Sequence, residues 1–270
     1  MLGLQFALTA RFRRIAAAFG HDTMLQFHRQ AGISAYLLVL AHPVVLVIVE
    51  PGYLAFLDPR SSVSRALALW AVLGALTLLL VLTLWRQRLR LSYEWWRLTH
   101  AVLAAFVLFV GIVHVLRVAH YVSTPLKIAL WTATSGLAML LLIEQRVFRP
   151  ARLRRRPWRV AGVRPELDDA WTLTFEPDGH AGFAFRPGQF VWLTLGDSPF
   201  SLQQHPFSIA SDASAAPRLE LTIRALGDFT SRIGTVPLGT RAFLEGPFGA
   251  FTLGPYAPAA VFVVGGVGIT

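Results

Sequence analysis

The chain has 270 residues, of which 54% are hydrophobic, and its mean hydropathy is +0.53. This composition is typical of a membrane protein with a soluble part, and it is unusual for a soluble domain alone. The sequence has no cysteine, which excludes disulfides, thiolate metal sites, iron–sulfur clusters and cysteine nucleophiles. The net charge is +10. Because the arginines are localised, this charge indicates orientation in a membrane and not a nucleic-acid partner.

The N-terminal segment, residues 1–10, is apolar but too short to span a bilayer. It lacks the basic flank and the cleavage site of a signal peptide. We expect it to be the end of an earlier helix whose beginning is missing from the chain. Residues 12–27 follow, and we predict an interfacial linker there, with His21 as a surface histidine.

Four apolar runs are long enough to cross a membrane, at residues 31–49, 66–85, 98–116 and 128–144. Arginines are concentrated before the first run, after the second run and after the fourth run. Basic ends of this kind lie on the cytoplasmic side. The sequence therefore predicts an α-helical transmembrane bundle within residues 1–150, placed in the lipid bilayer of the inner (plasma) membrane, with the following soluble part in the cytoplasm.

Four histidines are the chemically informative residues of this bundle. His28 and His42 are fourteen positions apart, and so are His100 and His114. Fourteen residues of α-helix rise about 21 Å in nearly four turns, so the two histidines of each pair share one helix face at two depths. Since the two helices run in the same direction, we predict that His28 faces His100 and that His42 faces His114.

Paired imidazoles at membrane depth are typical ligands of haem iron. With two nitrogen ligands the haem iron is six-coordinate and cannot bind a substrate, so it is suited to the transfer of single electrons. The spacing thus predicts two stacked b-type haems. The alternative is that the histidines are buried and hydrogen-bonded across helices, but that alternative does not explain why the same spacing occurs twice. His120, in a loop, is expected to have no haem ligand role.

The soluble part, residues 157–255, alternates short apolar segments with Gly, Pro and Asp turns. Strands are predicted at residues 158–163, 171–175, 190–195, 207–210, 219–223 and 241–245, a pattern that favours an antiparallel β-barrel. His180 lies in one of the turns and is expected to have no specific role. Residues 259–270 form an apolar run followed by a glycine-rich turn, which predicts the truncated start of an α/β nucleotide-binding domain. Gly265, Gly266 and Gly268 would there approach a phosphate.

Five short motifs of the soluble part occur in the order seen in flavin reductases of the ferredoxin–NADP reductase type. They are Arg186-Pro187-Gly188-Gln189-Phe190, His205-Pro206-Phe207-Ser208-Ile209, Gly227-Asp228-Phe229-Thr230-Ser231, Gly246-Pro247-Phe248-Gly249 and Gly265-Gly266-Val267-Gly268. Together with the two histidine pairs, they make the chain resemble the ferric reductase and NADPH oxidase superfamily in its bacterial form. The complete nicotinamide domain and the full set of N-terminal helices of that superfamily are missing.

The resemblance implies that FAD binds in the barrel. The predicted flavin contacts are His205, Pro206, Phe207, Ser208 and Ile209, with the Ser208 hydroxyl near the reactive ring nitrogen. Thr230 and Ser231 would begin a short helix whose N-terminus suits the FAD pyrophosphate, with Arg224 as a nearby cation. The alternatives are an ordinary helix cap for Thr230 and Ser231, and a solvated strand residue for Arg224.

The resemblance also implies a function, electron transfer from NAD(P)H through FAD and two haems to a small-molecule acceptor such as ferric iron or dioxygen. No single catalytic side chain is predicted. Two alternatives stay open. The chain could be a haem-carrying conduit or subunit fed by a separate reductase or by quinol, or it could be a structural membrane protein. The terminal acceptor, the choice between NADH and NADPH, and the oligomeric state do not follow from the sequence.

Overall fold

The computed structural model describes residues 2–12, 20–118 and 122–252. The chain divides into two compact units, one made of residues 1–10 and 22–143 and the other of residues 11–21 and 144–270. The predicted nucleotide-binding start, with Gly265, Gly266 and Gly268, lies outside the described residues, as does His120. These predictions therefore stay predictions.

The first unit is helical. Its helices are α1 (Leu2–Leu8), α2 (His21–Val49), α3 (Val63–Leu84), α4 (Tyr93–Val118) and α5 (Pro125–Ile143), and a 3-10 helix, Pro51–Phe56, lies between α2 and α3. By length and composition, four helical stretches of the described chain could cross a membrane: Asp22–Val49, Val63–Leu84, Tyr93–Val118 and Pro125–Leu153. The four predicted apolar helices are thereby confirmed.

The helices of this unit keep most of their apolar surface on the outside. In each candidate span, only 6–11% of the most apolar window is buried, and Ile48 and Leu126 are 74% and 79% exposed. Apolar surface of this extent would be unfavourable in water and fits a lipid environment. The small side chains of Ala35, Ala66 and Ala138 are buried, and Ala138 packs with Phe6 and Leu108 of neighbouring helices, as small residues let helix backbones approach closely.

The start of α2 differs from the sequence prediction. A linker was predicted up to residue 27, but the helix begins at His21, so the prediction was wrong for residues 21–27. Asp22 lies in the first turn, where a carboxylate interacts favourably with the positive end of the helix dipole. Met24, Leu25 and Gln26 are good helix formers. The polarity of this segment therefore does not break the helix.

The second unit contains a six-stranded antiparallel sheet. Its strands are β1 (Trp158–Pro165), β2 (Ala170–Pro177), β3 (Phe190–Leu195), β4 (His205–Ser208), β5 (Leu219–Arg224) and β6 (Arg241–Phe248). Their order in the sheet is β4-β3-β6-β1-β2-β5, and each paired strand is antiparallel. A core of buried side chains fills the concave side, with Trp158, Phe175, Leu193 and Leu221 among them.

The predicted antiparallel architecture is confirmed, but the sheet is a curled half-barrel and not a closed barrel. The two edge strands come near each other where Ala210 N, two residues after β4, donates to Glu220 O near the start of β5 over 2.8 Å. β4 begins two residues earlier than predicted, because His205 and Pro206 already pair with β3. Curling thus places the end of β4 beside the start of β5.

Two shorter helical segments complete the second unit. A π-helical turn, Glu144–Phe148, leads into α6 (Arg149–Leu153), and a 3-10 helix, Thr230–Thr235, follows β5. The expectation that His180 has no specific role was wrong. Its Nδ1 accepts from Gly182 N over 3.0 Å, so its protonated Nε2 donates to Pro157 O over 2.7 Å. His180 therefore closes the turn after β2 against the start of β1.

Candidate functional site

The four histidines of the helical unit come together as two pairs. The ring centroids of His28 and His100 are 6.2 Å apart, and those of His42 and His114 are 6.5 Å apart. The ring planes are inclined by 56° in the first pair and by 80° in the second. Both pairs join α2 to α4, and their order along the two helices requires that these helices run in parallel.

These separations lie within the range of ordinary ring contacts, about 4.5–7 Å, and they also match two rings that share an ion. A nitrogen–metal bond of imidazole is about 2.0–2.1 Å, so two ligands on opposite sides of one ion hold their nitrogens about 4 Å apart and their ring centres about 6 Å apart. Within the part of the chain that the structure describes, no group of three or more His, Asp or Glu could hold a metal ion. A metal between two such histidines would need its remaining ligands from a non-protein group, as a porphyrin supplies them.

His100 is surrounded by hydrogen-bonding and aromatic side chains from α3 and from its own helix. Thr83 Oγ1 lies 3.3 Å from His100 Nδ1 and 2.7 Å from Leu79 O. Trp96 Nε1 donates to Thr83 Oγ1 over 3.3 Å, and the Trp96 ring lies 5.4 Å from the His100 ring. The α3–α4 contact thus positions this imidazole from two sides.

His28 has a different neighbour, Gln5 of α1. In the amide orientation that satisfies both of its polar atoms, Gln5 Nε2 donates to His28 O over 3.0 Å and to His28 Nδ1 over 2.7 Å, and Gln5 Oε1 accepts from Gly32 N. This places the imidazole proton on Nε2. Iron ligation through Nε2 by a neutral imidazole would therefore require the Gln5 amide to turn, so that Oε1 accepts a proton from Nδ1.

The predicted flavin residues lie along one edge of the half-barrel. In β4, His205 and Phe207 are half-buried, whereas Pro206 and Ser208 are exposed, because alternate residues of a strand face opposite sides. Ile209 is 4% exposed and belongs to the core, and its backbone N–H donates to Gln189 O over 2.9 Å. The rest of the β4 motif presents a mixed polar and apolar edge.

Phe229 was not predicted as a site residue, although the Gly-Asp-Phe-Thr motif contained it. Its ring stacks on His205 with centroids 4.3 Å apart and planes at 30°, and it lies 6.3 Å from Phe207. It comes from the segment after β5, so this stack joins the two edges of the curled sheet. The signal in the sequence was the position of an aromatic residue directly before the predicted helix start.

Thr230 and Ser231 begin the 3-10 helix, as predicted, and their hydroxyl groups act within the loop. Thr230 Oγ1 accepts from Leu226 N over 3.0 Å and from Gly227 N over 2.9 Å. Ser231 Oγ donates to Asp228 O. These bonds tie the two hydroxyls to the preceding loop, and the 3-10 helix itself has no side-chain cap. Arg224 is exposed at the end of β5.

Two of the glycine motifs have a structural explanation. Gly188 has φ +87°, and a Cβ at this position would lie 1.9 Å from Phe251 O. Gln189 Nε2 donates to Gly249 O over 3.4 Å, and Gln189 Oε1 accepts from Arg186 N over 2.8 Å. The Arg-Pro-Gly-Gln-Phe and Gly-Pro-Phe-Gly motifs therefore fasten the loop before β3 to the end of β6.

Comparison with known proteins gives two family matches. Residues 1–111 match the family described as ferric reductase like transmembrane component, and residues 168–252 match an FAD-binding domain. The first match contains three of the four histidines and ends three residues before His114. The second match begins before β2 and ends after β6, so it contains both sheet edges described above. The half-barrel is thus an FAD-binding domain of a flavoprotein.

The relatives found are bacterial oxidoreductases that match only part of this chain. The NADPH oxidoreductase of Mycobacterium tuberculosis is 30% identical over 118 residues, which is 42% of this chain and 31% of the relative. The reductase component of propane 2-monooxygenase from Mycolicibacterium goodii is 30% identical over 110 residues, 40% of this chain and 31% of the relative. The chain therefore spans about a third of the length of these curated relatives.

Among solved structures, the ferredoxin reductase of carbazole 1,9a-dioxygenase is 25% identical with a TM-score of 0.33, covering 37% of this chain and 30% of that chain. A flavohemoglobin from Malassezia yamatoensis with bound FAD and heme is 18% identical with a TM-score of 0.35, covering 83% of this chain and 64% of that chain. At these TM-scores, the structural likeness carries no argument.

Proposed function

We propose, from the premise that this chain is a member of the ferric reductase and NADPH oxidase superfamily, that it passes electrons from NAD(P)H through FAD and two b-type haems to an acceptor across the membrane. Ferric iron and dioxygen are the acceptor classes of this proposal. The FAD-binding and membrane domains come from the family matches, whereas the haems, the electron donor and the acceptor belong to the proposal.

The observation that carries the proposal is the geometry of the two histidine pairs. His28 with His100 and His42 with His114 have nearly equal centroid separations, 6.2 and 6.5 Å, and fourteen residues separate the pairs on each helix. Direct hydrogen bonding between two imidazoles would bring their nitrogens to about 3 Å and their ring centroids to about 5 Å, which is closer than either observed pair. Two similar separations that suit an interposed iron, at two levels of the same pair of apolar helices, favour two haem sites.

Each part of the chain then has a definite task. The β4 edge would hold a flavin that supplies conversion of hydride to single electrons, and the two histidine pairs would hold haems suited to one-electron transfer. The four histidines hold their sites closed to other ligands. The apolar outer faces of α2 and α4 exclude water from these sites, and the β4 edge with Phe229 offers a surface for a flavin ring.

The domain limits and the orientation in the membrane are parts of the same proposal. We place the haem domain at residues 1–150, the FAD-binding domain at residues 157–255 and the start of an NAD(P)-binding domain at residues 259–270. The arginine-rich segments favour a cytoplasmic FAD-binding domain and a position in the plasma membrane. The name of the Mycobacterium tuberculosis relative, an NADPH oxidoreductase, supports NAD(P)H as the electron donor.

The direct test is the haem content of the full chain, purified in detergent after expression with a haem precursor. A pyridine haemochrome assay should give two b-type haems per chain. His100→Leu and His114→Leu should each remove one haem, because each loses one of two protein ligands. Thr99→Val is the matched control, since Thr99 adjoins His100 but bonds only to the backbone of its own helix.

The outcomes of this test distinguish the proposed oxidoreductase from a haem-carrying conduit and from a structural membrane protein. A chain that purifies without haem, or variants that keep two haems, would contradict the proposal and favour a structural membrane protein. Two haems without reduction by NAD(P)H in the presence of FAD would favour the haem-carrying conduit instead. Reduction of both haems by NAD(P)H and FAD, with loss of one haem in each histidine variant, is the result expected.

A further inference from the structure

We infer that Thr83 is the positioning residue of His100, fixing its tautomer and ring orientation so that Nε2 keeps the lone pair that an iron ligand needs. This inference rests on the proposed haem sites and adds to them a residue from a helix that carries none of the four histidines. Thr83 lies near the end of α3 (Val63–Leu84), whereas the histidine pairs lie on α2 and α4.

The first step is the single proton of the Thr83 hydroxyl. A threonine in a helix can donate this proton to the carbonyl four residues earlier, and Thr83 Oγ1 lies 2.7 Å from Leu79 O. This is the shortest of the three contacts of the oxygen, since the other two are 3.3 Å. The hydroxyl has only one proton to give, so towards the other two partners Thr83 Oγ1 is an acceptor.

The second step is that both remaining partners suit an acceptor. The indole nitrogen of Trp96 can only donate, and its Nε1 lies 3.3 Å from Thr83 Oγ1. His100 Nδ1 also lies 3.3 Å from Thr83 Oγ1. Because the oxygen acts as an acceptor towards this nitrogen, Nδ1 must be the donor and must carry a proton. A neutral imidazole with its proton on Nδ1 has its lone pair on Nε2.

The third step concerns orientation. Trp96 lies one helical turn before His100 on α4, and its ring is 5.4 Å from the imidazole with the planes inclined by 50°. Thr83 therefore binds both the imidazole and the aromatic ring that packs against it. Metal-bound histidines usually donate their second N–H to such an outer partner, which fixes the ring and makes the ligating nitrogen more basic. The three side chains form one unit across the α3–α4 contact.

The test compares three variants of the full chain with the wild type in lipid nanodiscs. Thr83→Val removes the hydroxyl and keeps the shape of the side chain, whereas Thr83→Ser keeps the hydroxyl. Thr132→Val is the matched control, because Thr132 Oγ1 makes the same bond to the carbonyl four residues earlier, 2.8 Å from Ile128 O, in α5. Haem content, haem dissociation rate and the two haem reduction potentials are measured by spectroelectrochemistry.

For Thr83→Val we expect one of the two reduction potentials to rise, because a less basic ligand stabilises ferric iron less. Haem retention at that site should weaken roughly 10- to 100-fold, the usual effect of losing an outer-shell partner. Thr83→Ser and Thr132→Val should both resemble the wild type, and the second potential should not move in any variant.

The results distinguish this inference from the proposed function. If the wild type and His100→Leu show that His100 binds haem, but Thr83→Val leaves both potentials and the dissociation rate at the Thr132→Val values, the role of Thr83 is wrong and the haem sites stand. If the wild type binds no haem, both fail together. A change that Thr83→Ser does not reverse would also overturn the inference, since it would come from packing and not from the hydroxyl.

Discussion

Glu245 of β6 offers the sharpest stability prediction for the FAD-binding domain. Its side chain is 9% exposed, and its two oxygens accept from Arg11 Nη1 over 3.0 Å and from Arg149 Nη1 over 2.8 Å. Gln204 Nε2 donates to the same carboxylate over 3.2 Å, and the Arg11 guanidinium lies 3.8 Å from the centre of the Trp192 ring. The perturbation we choose is Glu245→Gln, which keeps the shape and removes the charge.

The expected cost follows from burial. The two arginine side chains are 16% and 19% exposed, so water screens this cluster far less than it screens a surface ion pair. Removing one partner of a buried ion pair costs about 3–5 kcal/mol, because the opposite charge stays behind without compensation. The amide can still accept one hydrogen bond, so we expect the lower end, about 3 kcal/mol. A domain has only about 5–15 kcal/mol of stability.

The assay is pulse proteolysis of the full chain in urea, which reports the fraction of the FAD-binding domain that resists cleavage. With a denaturant slope of about 1–2 kcal/mol/M, a loss of about 3 kcal/mol lowers the urea midpoint by about 1.5–3 M. Asp178→Asn is the matched control, since Asp178 pairs with Arg159 over 2.9 Å but the two side chains are 29% and 59% exposed. That pair should contribute about 1 kcal/mol or less.

Equal midpoint shifts for Glu245→Gln and Asp178→Asn would refute the reasoning, because they would show that burial does not strengthen the Glu245 cluster. A double-mutant cycle adds a second check. With Arg149→Gln already present, Glu245→Gln should cost less than it does in the wild type, by a coupling energy of about 0.5–3 kcal/mol. Strict additivity of the two substitutions would mean that this pair contributes nothing.

Three further predictions concern the glycine motif, the flavin edge and the His28 neighbourhood. Gly188→Ala should destabilise the domain far more than Gly239→Ala in urea-dependent proteolysis. Both glycines have positive φ, +87° and +81°, but of the two only Gly188 would bring a Cβ against a backbone atom. Similar losses of stability in the two variants would mean that the positive φ alone causes the effect. Phe229→Leu should weaken FAD binding about 2- to 10-fold in a fluorescence titration, as expected for one lost aromatic pair, and unchanged affinity would remove Phe229 from the site. Gln5→Leu should shift only the haem held by His28, and a shift of both haems in the optical titration would contradict a local role.

Sequence alone was sufficient for features that repeat along one element. The fourteen-residue spacing of His28 and His42 depends only on helix geometry, and the apolar runs depend only on length and composition. The strand pattern of the soluble part was predicted for the same reason. The helix start at His21 was missed because a polar segment at a membrane edge has the composition of a loop, although its residues have good helix propensity.

Features that join distant parts of the chain were not visible in the sequence. The Glu245 cluster unites residues 11, 149, 204 and 245, which no local pattern connects. Thr83 looks like any polar residue near the end of an apolar helix, and only the α3–α4 contact gives it a partner. Phe229 was quoted as part of a motif, but its stack on His205 depends on the curling of the sheet. Tertiary contacts decided each of these roles.

The two histidine pairs should differ in reduction potential, even though their spacing along the helices is identical. His100 Nδ1 has Thr83 as its side-chain partner, and His28 Nδ1 has Gln5, whose amide would accept the Nδ1 proton once it has turned. The rings of this pair are inclined by 56°, against 80° for His42 and His114. Outer-shell hydrogen bonds and ligand arrangement set the potential of a haem. We therefore expect two resolved one-electron transitions in a spectroelectrochemical titration of the wild type. The transition of lower potential should belong to the haem of His28 and His100, and it should remain in His42→Leu. A single transition for both haems, or loss of the transition of lower potential in His42→Leu, would contradict this prediction. It would mean that Gln5 and Thr83 do not lower the reduction potential of the haem held by His28 and His100.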